Sequence, residues 1–239
     1  MNSPTRPTDG RQLPATLLAW IITAINVAVW IAMETAGGST TGRVLVAFGA
    51  KVTPLIAQGE YWRLLTANFV HVGATHLLLN SVALLSFGRL TEMAFGHSRF
   101  LTIYLISGLA GVTASYLFTP GLSAGASAAI FGCAAALTVF FARNRRLAGA
   151  AGRAQLSGML FILGANVVFG LVAPAIDQWG HLGGLVCGSI LGFALAPRLV
   201  LVPGPEGEPP GIRKEPSPLF GWLIVPLMLI ILGALVVGK

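Results

Sequence analysis

The chain has 239 residues, of which 55% are hydrophobic and only 10% charged, a balance outside the range of soluble globular domains. Its net charge of +7 comes from basic residues scattered among short polar stretches, which offers no continuous phosphate-binding face and argues against a nucleic-acid partner. The apolar residues fall in long blocks, as in an all-α polytopic membrane protein embedded in the lipid bilayer.

Seven runs approach the ~20 residues that cross a bilayer. The first, Ala15 to Met33, follows a polar tail with Arg6 and Arg11. It is too long for a signal peptide and lacks a clean small-x-small cleavage site, so it is expected to remain as an anchor. The stretch Glu34 to Phe69 is too long for a turn and is expected to pack at the outer membrane surface. It ends in Tyr61-Trp62-Arg63, an interfacial mixture of aromatic and basic groups. The second span is Val70 to Gly88 and the third Phe100 to Phe118.

The fourth, Ser127 to Ala142, rises only ~24 Å, short of the ~30 Å hydrocarbon core. If Arg143, Arg145 and Arg146 pin its inner end, Ser127 lies below the outer surface, and Thr119 to Gly125 is a loop entering the membrane. Such backbone survives only when buried in protein or facing a wet cavity. The fifth and sixth spans are Leu156 to Ala173 and Trp179 to Ala196. Val202 to Pro218, rich in proline and glycine, reads as a linker to a seventh span, Leu219 to Gly238. The expected organisation is a cytoplasmic tail 1–13, a six-helix unit 14–197, a linker 198–218 and a further span 219–239.

Arg6, Arg11, Arg89, Arg99, Arg143, Arg145, Arg146, Arg153, Arg198, Arg213 and Lys214 fall on one side of these spans. By the positive-inside rule this places the N-terminus in the cytoplasm and the C-terminus outside. Compact loops and the absence of a targeting peptide point to a cell membrane of prokaryotic type. Cys133 and Cys187 both lie in apolar runs and read as packing residues.

With that orientation the second, fourth and sixth spans all start at the outer face, which brings His76, Ser127 and His181 to one depth. Polar side chains in hydrocarbon are costly and often functional. Ser127 opens a helix, where unpaired N–H groups and the dipole favour negative charge; it is either a cap or a nucleophile with an oxyanion site beside it. His181, Gly184 and Gly188 share one helix face. Small residues there permit close approach of a neighbour, and His181 is either a general base for Ser127 or a histidine bonded between helices. His76 and Asn80, four apart, can both donate to an oxyanion or serve as interhelical polar contacts. No carboxylate is placed to orient His181; Asp177 reads as an interface cap. A zinc site needs three convergent ligands, and the five-residue spacing of His71 and His76 does not suit a helical pair.

Tyr61-Trp62-Arg63, His71…His76…Asn80, Gly125-Ala126-Ser127 and Asp177-Gln178-Trp179-Gly180-His181-Leu182-Gly183-Gly184 resemble the motifs of the rhomboid family of intramembrane serine proteases. The resemblance runs from about Tyr61 to Ala196, and the extra C-terminal span is similar to the six-plus-one form. It implies a rhomboid-like six-helix bundle plus one helix, with Ser127 as nucleophile and His181 as base. His76, Asn80 and the Ser127 amide would contact the oxyanion, and no cofactor would be required.

Further roles follow from the resemblance alone. His71, Gly125, Ala126, Ala128, Phe131 and Trp179 would line the site, Phe131 by packing on the catalytic histidine without the hydroxyl sometimes present there. Tyr61, Trp62, Arg63, Gly184 and Gly188 would be structural, with Arg63 holding the outer loop against the core. The usual Gly-x-Ser-Gly reads Gly-Ala-Ser-Ala here, because Ala128 follows the serine, and altered tightness or rate is expected. The partners would be transmembrane protein substrates. The alternatives are an inactive relative that binds or escorts membrane clients, and a transporter with a polar path, which would ordinarily need buried carboxylates.

Overall fold

The computed structural model describes residues 16–172, 176–204 and 210–239. Helix α1 is Leu17–Thr35. The following stretch, expected as an interfacial loop, carries three short helices, α2 (Gly42–Ala47), α3 (Thr53–Ala57) and α4 (Arg63–Thr66), the last running into a 3₁₀ turn. Then come α5 (Gly73–Ala83), α6 (Arg89–Phe95), α7 (His97–Phe118), α8 (Ser127–Arg143), α9 (Gly149–Val172), α10 (Gln178–Leu195) and α11 (Ile224–Val237). A π-helical turn, Leu84–Gly88, joins α5 to α6, so the second predicted span continues to Phe95 and begins at Gly73. His71 therefore precedes that helix instead of lying in it.

The fold is that of an all-α multi-pass membrane protein. Three described helices are long and apolar enough to cross a bilayer alone: Leu17–Thr35, His97–Phe118 and Leu219–Val237, the last including a 3₁₀ first turn. Arg63–Phe69 and Gly73–Phe95 form a pair bent by 91°. The N-terminal tail 1–13 and the predicted ends Ala15 and Ala173 lie outside the described residues.

The expected linker is corrected in part. Arg198–Val202 pairs antiparallel with Gly211–Glu215 as a two-stranded ribbon, β1 and β2, with Arg198 opposite Glu215 and Val202 opposite Gly211. Its prolines and glycines hid two short runs able to pair, Leu199-Val200-Leu201 and Ile212 with its charged neighbours. Lys214 Nζ reaches back to Met93 O at the end of α6 (2.7 Å).

The core is built on α7, α8 and α10, which pack against one another, with α8 buried along most of its length. Two small-residue stripes allow this. A Cβ on Gly184 or Gly188 would collide with the carbonyl oxygens of Ala128 and Gly132, and one on Gly192 would lie 2.6 Å from Ala136 Cα. Residues four apart on α10 thus meet residues four apart on α8, bringing the backbones into contact. Gly132 also abuts Ser107 of α7, so the three helices meet at this residue. At the far end of the bundle the buried Glu92 carboxylate accepts from the Leu18 and Ala19 amides, 2.9 Å each, satisfying orphan donors at the start of α1.

Candidate active site

Ser127 is the first residue of α8, and Ala126 holds the cap position without a side-chain cap bond. The serine hydroxyl therefore does not cap the helix. It lies 2.8 Å from His181 Nε2, its donor role satisfied by the imidazole of α10. The Gly184–Ala128 contact, less than one turn beyond His181, is close enough to let this bond span two helices. Phe131, one turn into α8, stacks on the His181 ring with centroids 4.4 Å apart and planes at 29°.

His76 and Asn80 share a face of α5. Val72 N donates to His76 Nδ1 (3.4 Å) and Asn80 Nδ2 donates to His76 O (3.0 Å). With Nδ1 accepting, the neutral His76 ring carries its proton on Nε2, available as a donor. Gly125 lets that ring approach Ser127: its φ is +128°, and a Cβ there would lie 2.6 Å from His76 Cε1. Only glycine serves at this position.

His71 is corrected from a wall of the site to a support behind it. It is fully buried, its Nδ1 faces Phe69 O at 3.3 Å, and its Nε2 accepts from Ala126 N at 3.4 Å. Gly125 N donates to Ala67 O at 2.9 Å, so the strand entering Ser127 is tied down at successive residues. Ala126 is likewise buried and absent from the cavity wall. Trp179 also stands apart, half exposed and packed on Phe118 at 4.5 Å between centroids.

A cavity of about 520 Å³ brings Ser127, His181, His76, Asn80, Ala128 and Phe131 to one wall or another. Asn166 of α9 also lines it, with its Nδ2 bonded to Ile162 O (2.8 Å). The sequence reading missed Asn166, although a polar residue within an apolar run is the same signal that marked His76 and Asn80.

Asp177 caps α10: its Oδ1 accepts from Gly180 N (3.0 Å) and from Thr119 Oγ1 (3.1 Å). Burial pushes its carboxyl up, but the Gly180 and Thr119 hydrogen bonds, with the nearby Ser115 and Ser123 hydroxyls, outweigh that and hold it below the ordinary carboxylate range. Its role is to fix the helix end that carries His181.

Arg63 is satisfied within its own loop, donating to Val46 O (2.7 Å), Ala50 O (3.1 Å) and Glu60 (2.7 Å) while its guanidinium lies 4.4 Å from the Trp62 ring centre. It therefore closes the 34–69 segment on itself instead of bolting it to the helices. Trp62 and Tyr61 stay about half exposed.

A family model described as the Rhomboid domain matches residues 58–198, more than half of the chain. The chain belongs to the rhomboid family. It is 43% identical over 176 residues to rhomboid protease GluP of Bacillus subtilis, covering 74% of this chain and 34% of that protein. It is 40% identical over 142 residues to RHOMBOID-like protein 6, mitochondrial, of Arabidopsis thaliana, covering 59% and 46%. With Rhomboid-like protease 1 of Toxoplasma gondii the identity is 36% over 160 residues, covering 63% and 52%. The chain thus spans between a third and about half of these relatives' lengths. In this member of the family, the elements that converge on the cavity, α5, α8 and α10, all lie within the matched region.

Proposed function

We propose that this rhomboid is an intramembrane serine endopeptidase that cleaves peptide bonds in or near the transmembrane segments of other membrane proteins. The observation that carries the reading is the 2.8 Å contact between Ser127 Oγ and His181 Nε2 at the wall of an open cavity. In the first step His181 Nε2 takes the hydroxyl proton as Ser127 Oγ attacks the scissile carbonyl carbon. The oxyanion is received by His76 Nε2–H, a free Asn80 amide hydrogen and the Ser127 N–H at the start of α8. The protonated His181 then gives its proton to the leaving amine, the carbon–nitrogen bond breaks, and an acyl-enzyme remains. Water entering the cavity loses a proton to His181 and attacks the ester carbonyl; the carbon–Oγ bond then breaks, His181 returns the proton to Ser127 Oγ, and the carboxylic product leaves. A substrate helix must unwind locally, since its amides are already paired and shielded.

The distribution of lysine and arginine supports a cytoplasmic N-terminus, an extracytoplasmic C-terminus and an active site opening toward the outer face of the cell membrane. We assign residues 14–197 as the catalytic unit and 219–239 as an additional span. Incubation of the purified protein with a panel of single-span membrane proteins tests the proposal: the wild type cleaves at least one, and Ser127→Ala and His181→Ala, still folded, cleave none. Equal client binding by all three proteins with no cleavage would instead indicate a non-catalytic escort.

A further inference from the structure

Lys51 lies between α2 and α3 and is fully buried, although it is charged and far from the reacting atoms in sequence. Its backbone exchanges two hydrogen bonds with Ser123, donating at 2.8 Å and accepting at 3.1 Å, an isolated antiparallel bridge to the segment that leads into Ser127. Its Nζ turns to the same segment and donates to Gly121 O (2.9 Å) and Thr119 O. Those carbonyls lie just past the end of α7, where unpaired acceptors and the helix dipole both favour a cation.

The linkage does not stop there. Thr119 Oγ1 donates to Asp177 Oδ1, and the same carboxylate oxygen caps α10 through Gly180 N. His181 is the next residue. One side chain therefore fastens the chain that delivers Ser127 and, through Thr119 and Asp177, meets the helix end that delivers His181. Burying an ammonium is costly unless it is well paired, and an apolar side chain would fill this space more cheaply. What the ammonium adds is two oriented donors on a loop with no regular structure of its own.

We propose that Lys51 is a positioning residue for the Ser127–His181 pair, its ammonium clamping segment 119–126 in the register that sets the hydroxyl against the imidazole; this rests on the protease reading. The groups facing it are Asp177 and Lys239. Burial is the main cause lowering the Lys51 pKa to about 8; Asp177 pulls it up and Lys239 pushes it further down. Below that pH the clamp carries its charge; above it the neutral amine keeps two N–H donors but loses the charge assistance, so the hold weakens.

The test compares wild type, Lys51→Met and Lys51→Arg in steady-state cleavage of a single-span substrate across that pH range, with melting temperature and amide exchange measured in parallel. Lys51→Met keeps KM and loses kcat by on the order of ten-fold or more, the scale expected when a reacting pair is misplaced. Its 119–126 amides exchange faster, and the fall in kcat near pH 8 seen in the wild type is absent; Lys51→Arg restores part of kcat. Wild-type kcat and exchange in Lys51→Met, or a loss carried by KM alone, overturns the proposal. Should Lys51→Met fail to fold, Lys51→Gln decides by the same two readouts: wild-type kcat and wild-type exchange of the 119–126 amides overturn the proposal, and lower kcat with faster exchange supports it. A wild type that neither cleaves nor reacts with a fluorophosphonate at Ser127 removes the protease reading. The exchange of the 119–126 amides still reports separately whether Lys51 holds the loop.

Discussion

The methyl group of Ala128, the residue following the candidate nucleophile, faces Gly111 of α7 so closely that a Cβ on Gly111 would overlap it. The same Cβ would lie 2.5 Å from Gly180 O. An alanine beside the serine is therefore matched by the absence of a side chain on the neighbouring helix. Gly111→Ala is expected to cost about 1–3 kcal/mol through overpacking and to reduce cleavage. Adding Ala128→Gly should recover only part of the melting temperature, because the Gly180 carbonyl still meets the new methyl. Full recovery, or no loss in the single variant, would contradict this packing.

Phe131 supplies the ring on which His181 stacks. Aromatic pairs of this kind contribute about 0.5–1.5 kcal/mol. Phe131→Leu is therefore expected to lower kcat by roughly 2–10-fold with little change in KM, while Phe131→Tyr, which keeps the ring, holds kcat near wild type. Steady-state cleavage of one substrate by the three proteins checks the order.

Gly125 combines a left-handed backbone with a His76 ring where a side chain would go. Gly125→Ala adds strain of about 1–3 kcal/mol and displaces His76. The expected result is a folded protein whose Ser127 reacts with a fluorophosphonate at least ten-fold more slowly. An unchanged labelling rate would show that the His76 position is not needed.

The acid side of the stability profile reports on Asp177. Its folded-state pKa lies below the ordinary carboxylate value, so its contribution is fully present above the unfolded pKa, about 3.9, and is lost as pH falls through the lowered folded value. Asp177→Asn keeps the shape without the charge. Its melting temperature should fall below wild type at neutral pH, and the two curves should converge on acidification. A constant gap at all pH values would mean that the carboxylate acts only through its shape.

Much of the site was legible because membrane sequences advertise their exceptions. Ser127, His181, His76 and Asn80 stand out as polar groups in apolar runs, and Gly184 and Gly188 fall at helical spacing beside His181, so close approach of a neighbouring helix could be argued from spacing, while its identity as α8 comes from the fold. His71 was harder to read: its place came from the family resemblance alone, and the chain, not yet helical there, turns the ring beneath Ala126. The ribbon at Arg198–Val202 and Gly211–Glu215 was hidden by the prolines between its strands. Lys51 carried no local signal, since its partners are carbonyl groups of a loop some seventy residues away, a pairing that only the folded backbone creates. Asn166 carries the same signal as His76, a polar residue in an apolar run, but no motif in the sequence ties it to the others.

The central claim is that one hydroxyl and one imidazole across α8 and α10 perform the hydrolysis. The most direct measurement is cleavage of a single-span membrane protein by purified wild type and by Ser127→Ala, with both proteins shown to be folded by their melting curves. The account predicts product from the wild type and none above background from the variant. Equal cleavage by the two proteins would contradict it.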